Sequence, residues 1–285
     1  MSMTEMLYGD SNRRRPWSQV IWPSLLTVCL LGTNTGCQAV EEKPNNNTSS
    51  VQKTDEIPAP ETSVADEQAL SQTSKNWQRW FPDESCWFDL KRKTVIVDGQ
   101  VCQRTALLEM FACPTDTKDH ESIVSVDCHA ATIHAYLLVV GAQPGNPVQY
   151  QPEYQPADGT EVSVFVQWVD ENGTAQECPA QQWIRHVETG QAMEHDWVFA
   201  GSEFWKDEDD QEHYLAEGGD LICVSNFPTA TLDVPVASSQ DNASLQYEPF
   251  SERIPKRGTK VRLILQPKSA ATDDHSDEDG PTNGD

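Results

Sequence analysis

CWFDLKRKTVIVDGQVCQR, residues 86–104, decides the fold class. CWFDL and TVIVDGQV set apolar residues against polar ones around the charged and turn residues, the pattern of strands, in which a period of two places successive side chains on opposite faces. The charged run KRK (91–93) interrupts the pattern, and Asp98-Gly99 is a strong two-residue hairpin signal. The segment therefore predicts strands joined by tight turns. Further strands are expected at 107–113, 122–128, 162–168, 197–199, 221–225 and 260–265, with Val162, Val164, Val166 and Trp168 sharing one face.

One segment breaks the pattern. AATIHAYLLVV, residues 130–140, carries Ile133, Leu137 and Val140 at helical spacing, with Gly141 as its stop. A shorter helix is expected around 181–185. The predicted class is α+β, a mostly antiparallel β-sheet with one principal helix at about 130–140.

Outward from this block, composition divides the chain. Arg13, Arg14 and Arg15 precede an apolar run at 20–31 (VIWPSLLTVCLL), and Gly36-Cys37 follows. The run is too short to span a bilayer and has the length of a signal-peptide core, so residues 1–36 read as an export signal. Gly36-Cys37 matches the end of the bacterial lipoprotein box, and Cys37 is the expected lipidation site. Asn34 stands where that box usually has Leu, and ordinary cleavage after Ala39 is the competing reading. Residues 37–76 are rich in Glu, Pro, Asn, Thr and Ser and read as a disordered acidic tether; residues 268–285 read as a similar tail. The expected globular domain is 77–267, a normal single-domain size.

The chain has 20 Lys and Arg against 45 Asp and Glu, a net charge of −25. Such a surface repels nucleic-acid phosphates and anionic headgroups, so no nucleic-acid partner is expected, and membrane contact is expected through the lipid anchor alone. The expected partner is a small ligand or an envelope protein.

Eight cysteines include six in the folded block: 86, 102, 113, 128, 178 and 223. An even number in an exported chain favours disulfides, and Cys86 and Cys102, which flank the hairpin-like stretch, are the first candidates. Cys113 and Cys223 sit in apolar runs where a thiol serves as a small buried hydrophobe. No CxxC occurs, and the spacings match neither iron–sulfur runs nor zinc ribbons, so neither an iron–sulfur cluster nor another cysteine-ligated metal is expected.

The densest set of chemical side chains is the loop TKDHES (117–122). Lys118, His120 and Glu121, with His134 on the following helix, are the candidate ligand or metal residues, since imidazole and carboxylate hold a divalent cation or exchange protons. The spacing is not that of HExxH, and a hydrogen-bonded turn beside a packed helical histidine explains the same residues. The acidic stretch 206–212 lacks calcium-loop spacing and reads as a solvated hairpin tip. No catalytic residue is assigned. A binding domain without catalysis is the leading expectation, and a metal-dependent or acid/base enzyme using His120, Glu121 and His134 is the alternative.

Three phrases, TKDHESIVSVDCHAATIHAYLLVVGAQPGNPV (117–148), DWVFAGSEFW (196–205) and GDLICVSNFPTATLDVPVASS (219–239), resemble the YdjY-domain family of exported bacterial proteins of uncharacterised function. The similarity covers residues 81–265. It implies an envelope location and no established catalytic residues. Lys118, His120, Glu121, His134, Gly141, Pro144 and Gly145 match the family's most recognisable stretch. Some members carry a ferredoxin-like label, for which this chain has no clustered cysteine motif.

Overall fold

Asp98-Gly99 does not turn. In the structure, a computed structural model that describes residues 74–238 and 245–268, the chain turns instead at residues 90–93, between strands β1 (Cys86–Asp89) and β2 (Thr94–Val101). Asp89 Oδ1 closes that turn by accepting the Lys91 and Arg92 amides at 2.9 and 3.0 Å. Strand β2 runs straight through Gly99. The expected export signal, Cys37, the tether up to residue 73 and the tail from residue 269 lie outside the described residues.

The other strands are β3 (Met110–Pro114), β4 (Ser122–Val126), β5 (Glu161–Val169), β6 (Ala175–Pro179), β7 (Ile184–His186), β8 (Trp197–Phe199), β9 (Phe204–Lys206), β10 (Glu212–Tyr214), β11 (Ile222–Cys223), β12 (Leu232–Asp233), β13 (Tyr247–Pro249) and β14 (Lys260–Pro267). The helix α1 spans Ala130–Val139, and 3-10 turns lie at Ala180–Trp183 and Leu215–Gly218. Eight strands follow one another in the order β2, β14, β5, β8, β12, β11, β3, β4, and β4 pairs back onto β2. The sheet is a closed barrel. Its long strands exchange partners along their length: β2 pairs with β1 over residues 94–97 and with β4 over 99–101, while β5 pairs with β8 at its start and β6 farther on.

This corrects the expected α+β class. The domain is mainly β, an eight-stranded barrel to which, among the described residues, one ten-residue α-helix is added. Closure removes the exposed sheet edge that an open sheet of this size would have to protect. Two of the eight pairings, β3–β4 and β11–β12, are parallel; the rest are antiparallel.

Inside lies one large core, with two small satellite clusters beside it. Val162, Val164 and Val166 alternate inward along β5, and Phe111, Trp183, Trp197, Phe199, Leu232 and Leu263 pack among them. Strands β3 and β4 are buried at every residue, so both faces are covered. Helix α1 packs against β1 and β2 through Ile133, Tyr136 and Leu137, and Tyr136 also accepts the Trp80 amide at 2.8 Å. A buried polar joint ties β14 to β2: Arg262, opposite Asp98, donates to both of its carboxylate oxygens at 2.6 and 2.8 Å and lies over the Trp77 ring. Among the described residues, no helix is long and apolar enough to cross a membrane.

Candidate functional site

Strands β3 and β4 are parallel neighbours, and the loop between them, residues 115–121, carries the polar residues singled out from the sequence. Strands β11 and β12 repeat the arrangement with the loop 224–231, and β3 pairs with β11. Lys118 joins the two units. Its ammonium lies 2.9 Å from Asp220 and 3.5 Å from Glu109, and 4.5 Å from the centre of the Phe227 ring. Burial opposes the Lys118 charge, but Asp220 and Glu109 outweigh it and raise its pKa. Burial raises the Glu109 pKa, and the adjacent Glu121 raises it further. Thr229 donates to Asp220 from the second loop.

The predicted residues therefore divide into two groups. Lys118 is held among carboxylates, and His120, with a side chain 74% exposed, pairs with Glu121 at 3.3 Å. His134 is buried elsewhere on α1: its Nδ1 is 2.9 Å from the Tyr214 hydroxyl, and its ring meets Phe199, Phe204 and Tyr214 edge-on. Burial lowers its pKa to about 4, so the ring is neutral at physiological pH. Gly201 makes room for this packing, since a Cβ there would lie 2.8 Å from Pro144 Cβ. His129, which precedes α1, is 3.3 Å from Glu217, and that carboxylate also accepts the Ala131 amide at 2.9 Å.

Sequence reading missed a second polar centre. Asp233 and Asn226 are fully buried behind two tyrosines. Tyr150 donates to the Asn226 carbonyl at 2.9 Å, and Tyr154 to its side-chain oxygen at 3.2 Å. Asn226 is itself fixed, donating to Asp233 at 3.3 Å and to the Val234 carbonyl at 3.1 Å while accepting the Ser238 amide at 2.6 Å. The two tyrosine rings are 5.9 Å apart and 42% and 37% exposed. Beside them Pro147, Gln149, Gln151, Glu203 and Pro228 line a shallow depression of about 390 Å³. The available signal was an aspartate inside the apolar run TLDVPV, because a lone carboxylate there needs a buried partner.

The expected Cys86–Cys102 bridge is not made. All six cysteines among the described residues are free, and the Cys102 thiol donates to the Ser122 carbonyl at 3.0 Å. Cys86 lies instead with Cys128 and Glu84. The acidic stretch 206–212 forms the β9–β10 hairpin, whose turn Asp207 holds by accepting the Asp209 and Gln211 amides.

The model of the YdjY domain family matches residues 86–266. No curated protein and no solved structure matches the chain.

Proposed function

We propose, from the premise that this chain belongs to the YdjY-domain family, that it is an exported, lipid-tethered binding protein whose barrel presents a site for an uncharged, hydroxyl-rich ligand of saccharide type. The observation that carries the ligand class is the tyrosine pair. Tyr150 and Tyr154 expose aromatic faces while their hydroxyls are anchored on the buried Asn226, so the platform is set before any ligand arrives. A rigid tyrosine offers a large contact area for little loss of rotamer freedom. Gln149, Gln151 and Glu203 beside it supply amide and carboxylate groups for hydroxyls. A net charge of −25 disfavours anionic ligands.

Calorimetry of the mature protein against soluble cell-wall oligosaccharides tests this. Tyr150→Ala and Tyr154→Ala are each expected to weaken binding about tenfold or more, the range of a central aromatic contact. Absence of binding by the wild-type protein, or equal binding by both variants, would remove the proposal. The acid/base alternative requires His120, Glu121 and His134 to act together, whereas His120 pairs with Glu121 on the surface and His134 is buried against Tyr214.

Arg13–Arg15, the apolar run 20–31 and Gly36-Cys37 support the export and tether in this reading. Mass spectrometry of the mature N-terminus is expected to find a lipidated Cys37; an unmodified chain beginning at Val40 would mean a soluble, secreted form.

A further inference from the structure

Where β1 begins and β4 ends, two thiols and a carboxylate converge. The Ser85 amide donates to the Asp127 carbonyl at 3.0 Å, which sets Cys86 beside Cys128. Glu84 Oε2 is 3.1 Å from the Cys128 sulfur and 3.7 Å from the Cys86 sulfur, and all three potential ligand atoms lie within 4.8 Å of one another. Cys86 is fully buried, Cys128 nearly so, and Glu84 is half-buried.

We propose that Glu84, Cys86 and Cys128 bind a divalent cation of the zinc class, with water at the fourth position. Tetrahedral zinc with sulfur ligands at about 2.3 Å and an oxygen at about 2.0 Å has sulfur–sulfur edges of about 3.8 Å and sulfur–oxygen edges of about 3.5 Å. The observed separations of 3.1 and 3.7 Å bracket the second value.

Glu84 is the common polar partner of the cluster. Oε2 is within reach of both thiols and of the His129 amide at 3.3 Å, and Oε1 accepts from Thr132 at 3.1 Å, while the Cys128 thiol has a second acceptor in the His129 carbonyl at 3.5 Å. One cation takes the place of two thiol protons. The two sulfurs and the carboxylate then carry three negative charges against the two of the ion, and the His129 amide, at the start of α1, donates to the Glu84 carboxylate.

The reaction balances as one divalent ion bound and two thiol protons released to solvent. Because both thiols must lose their protons to ligate the ion, loading should strengthen as pH rises. The inference does not depend on the saccharide reading, since none of its three residues lines the tyrosine depression.

The test uses the mature chain, purified without chelator, and its Cys128→Ser and Glu84→Gln variants, with circular dichroism confirming that each folds. Elemental analysis is expected to find about one zinc per wild-type chain and almost none in Cys128→Ser, and Glu84→Gln should weaken zinc binding at least about tenfold. Cobalt(II) added to the metal-free protein should give a thiolate-to-metal charge-transfer band that Cys128→Ser lacks. Wild-type protein that binds neither ion overturns the proposal. So does a chain lighter by two hydrogens with Cys86 and Cys128 in one cross-linked peptide, which makes the pair a disulfide.

Discussion

The melting temperature of the mature chain should fall as pH rises from about 6.5 to about 8, and Asp233→Asn should remove most of that fall. Asp233 is fully buried on β12. One carboxyl oxygen accepts the Val234 amide at 2.8 Å and the Asn226 side chain at 3.3 Å. Burial pushes its pKa from 3.8 up to about 8. The folded protein therefore keeps a proton that the unfolded chain has already released. This contribution to stability is fully present below pH 3.8 and is lost as pH rises toward 8. His134 acts in the opposite sense: burial lowers it from 6.5 to about 4, so its contribution is complete above 6.5 and is lost as pH falls toward 4.

Between pH 4 and 6.5 the two slopes oppose each other, and above 6.5 that of His134 is gone while that of Asp233 remains. One pH unit corresponds to about 1.4 kcal/mol, so the loss from 6.5 to 8 is about 2 kcal/mol, or roughly 4–8 °C in a domain of this size. His129 and Glu109, whose pKa values are also raised, add in the same sense as Asp233, so the difference between wild type and Asp233→Asn isolates the one carboxyl. Thermal unfolding followed across this range decides the matter, and a variant with the wild-type slope would show that Asp233 is not the group.

Local pattern made the long strands legible. The alternation at 162–168 reappears as β5, and the apolar runs at 94–97 and 260–265 become parts of β2 and β14. Closure was not legible, because it rests on pairings between residues far apart in sequence and on β11 and β12, which have two residues each and are too short to show a period. Helix α1 was found by the spacing of Ile133, Leu137 and Val140 and by its glycine stop. Its burial extends beyond the Ile133, Leu137 and Val140 stripe to Thr132, His134 and Tyr136, so amphipathicity understated how deeply it packs. In the polar loop, Lys118 was visible, but its partners Glu109 and Asp220 are brought to it by β3 and β11. Tyr150 and Tyr154 lie in a proline-rich connection without periodicity, and only tertiary contact with Asn226 gives them a role. Cys86 and Cys128 meet because β1 follows the edge of β2 that β4 also occupies.

Gly99→Ala should be among the most damaging single-methyl additions to this domain. Asp98-Gly99 looks like a turn in sequence, yet Gly99 sits within β2, opposite Val126 of β4, where the barrel closes. A Cβ at this position would lie 2.4 Å from the Ser125 carbonyl oxygen, with Val126 and Val124 methyl carbons at 3.1 and 3.2 Å. The nearest obstacle is backbone, which cannot rotate away as a side-chain tip can, so β2 and β4 must separate or shift register. Overpacking a buried site costs about 1–3 kcal/mol, and the upper end applies where the obstruction is main chain. That corresponds to roughly 6–12 °C in melting temperature for this length of domain. Gly218→Ala is the matched control, since nothing lies within 4 Å of its added Cβ, and it should leave stability unchanged or slightly improved. Hydrogen exchange locates the damage: in Gly99→Ala the amides paired across β2 and β4 should lose protection before those paired across β2 and β14. A Gly99→Ala protein that melts with the wild type would mean that the β2–β4 seam is not what closes the barrel.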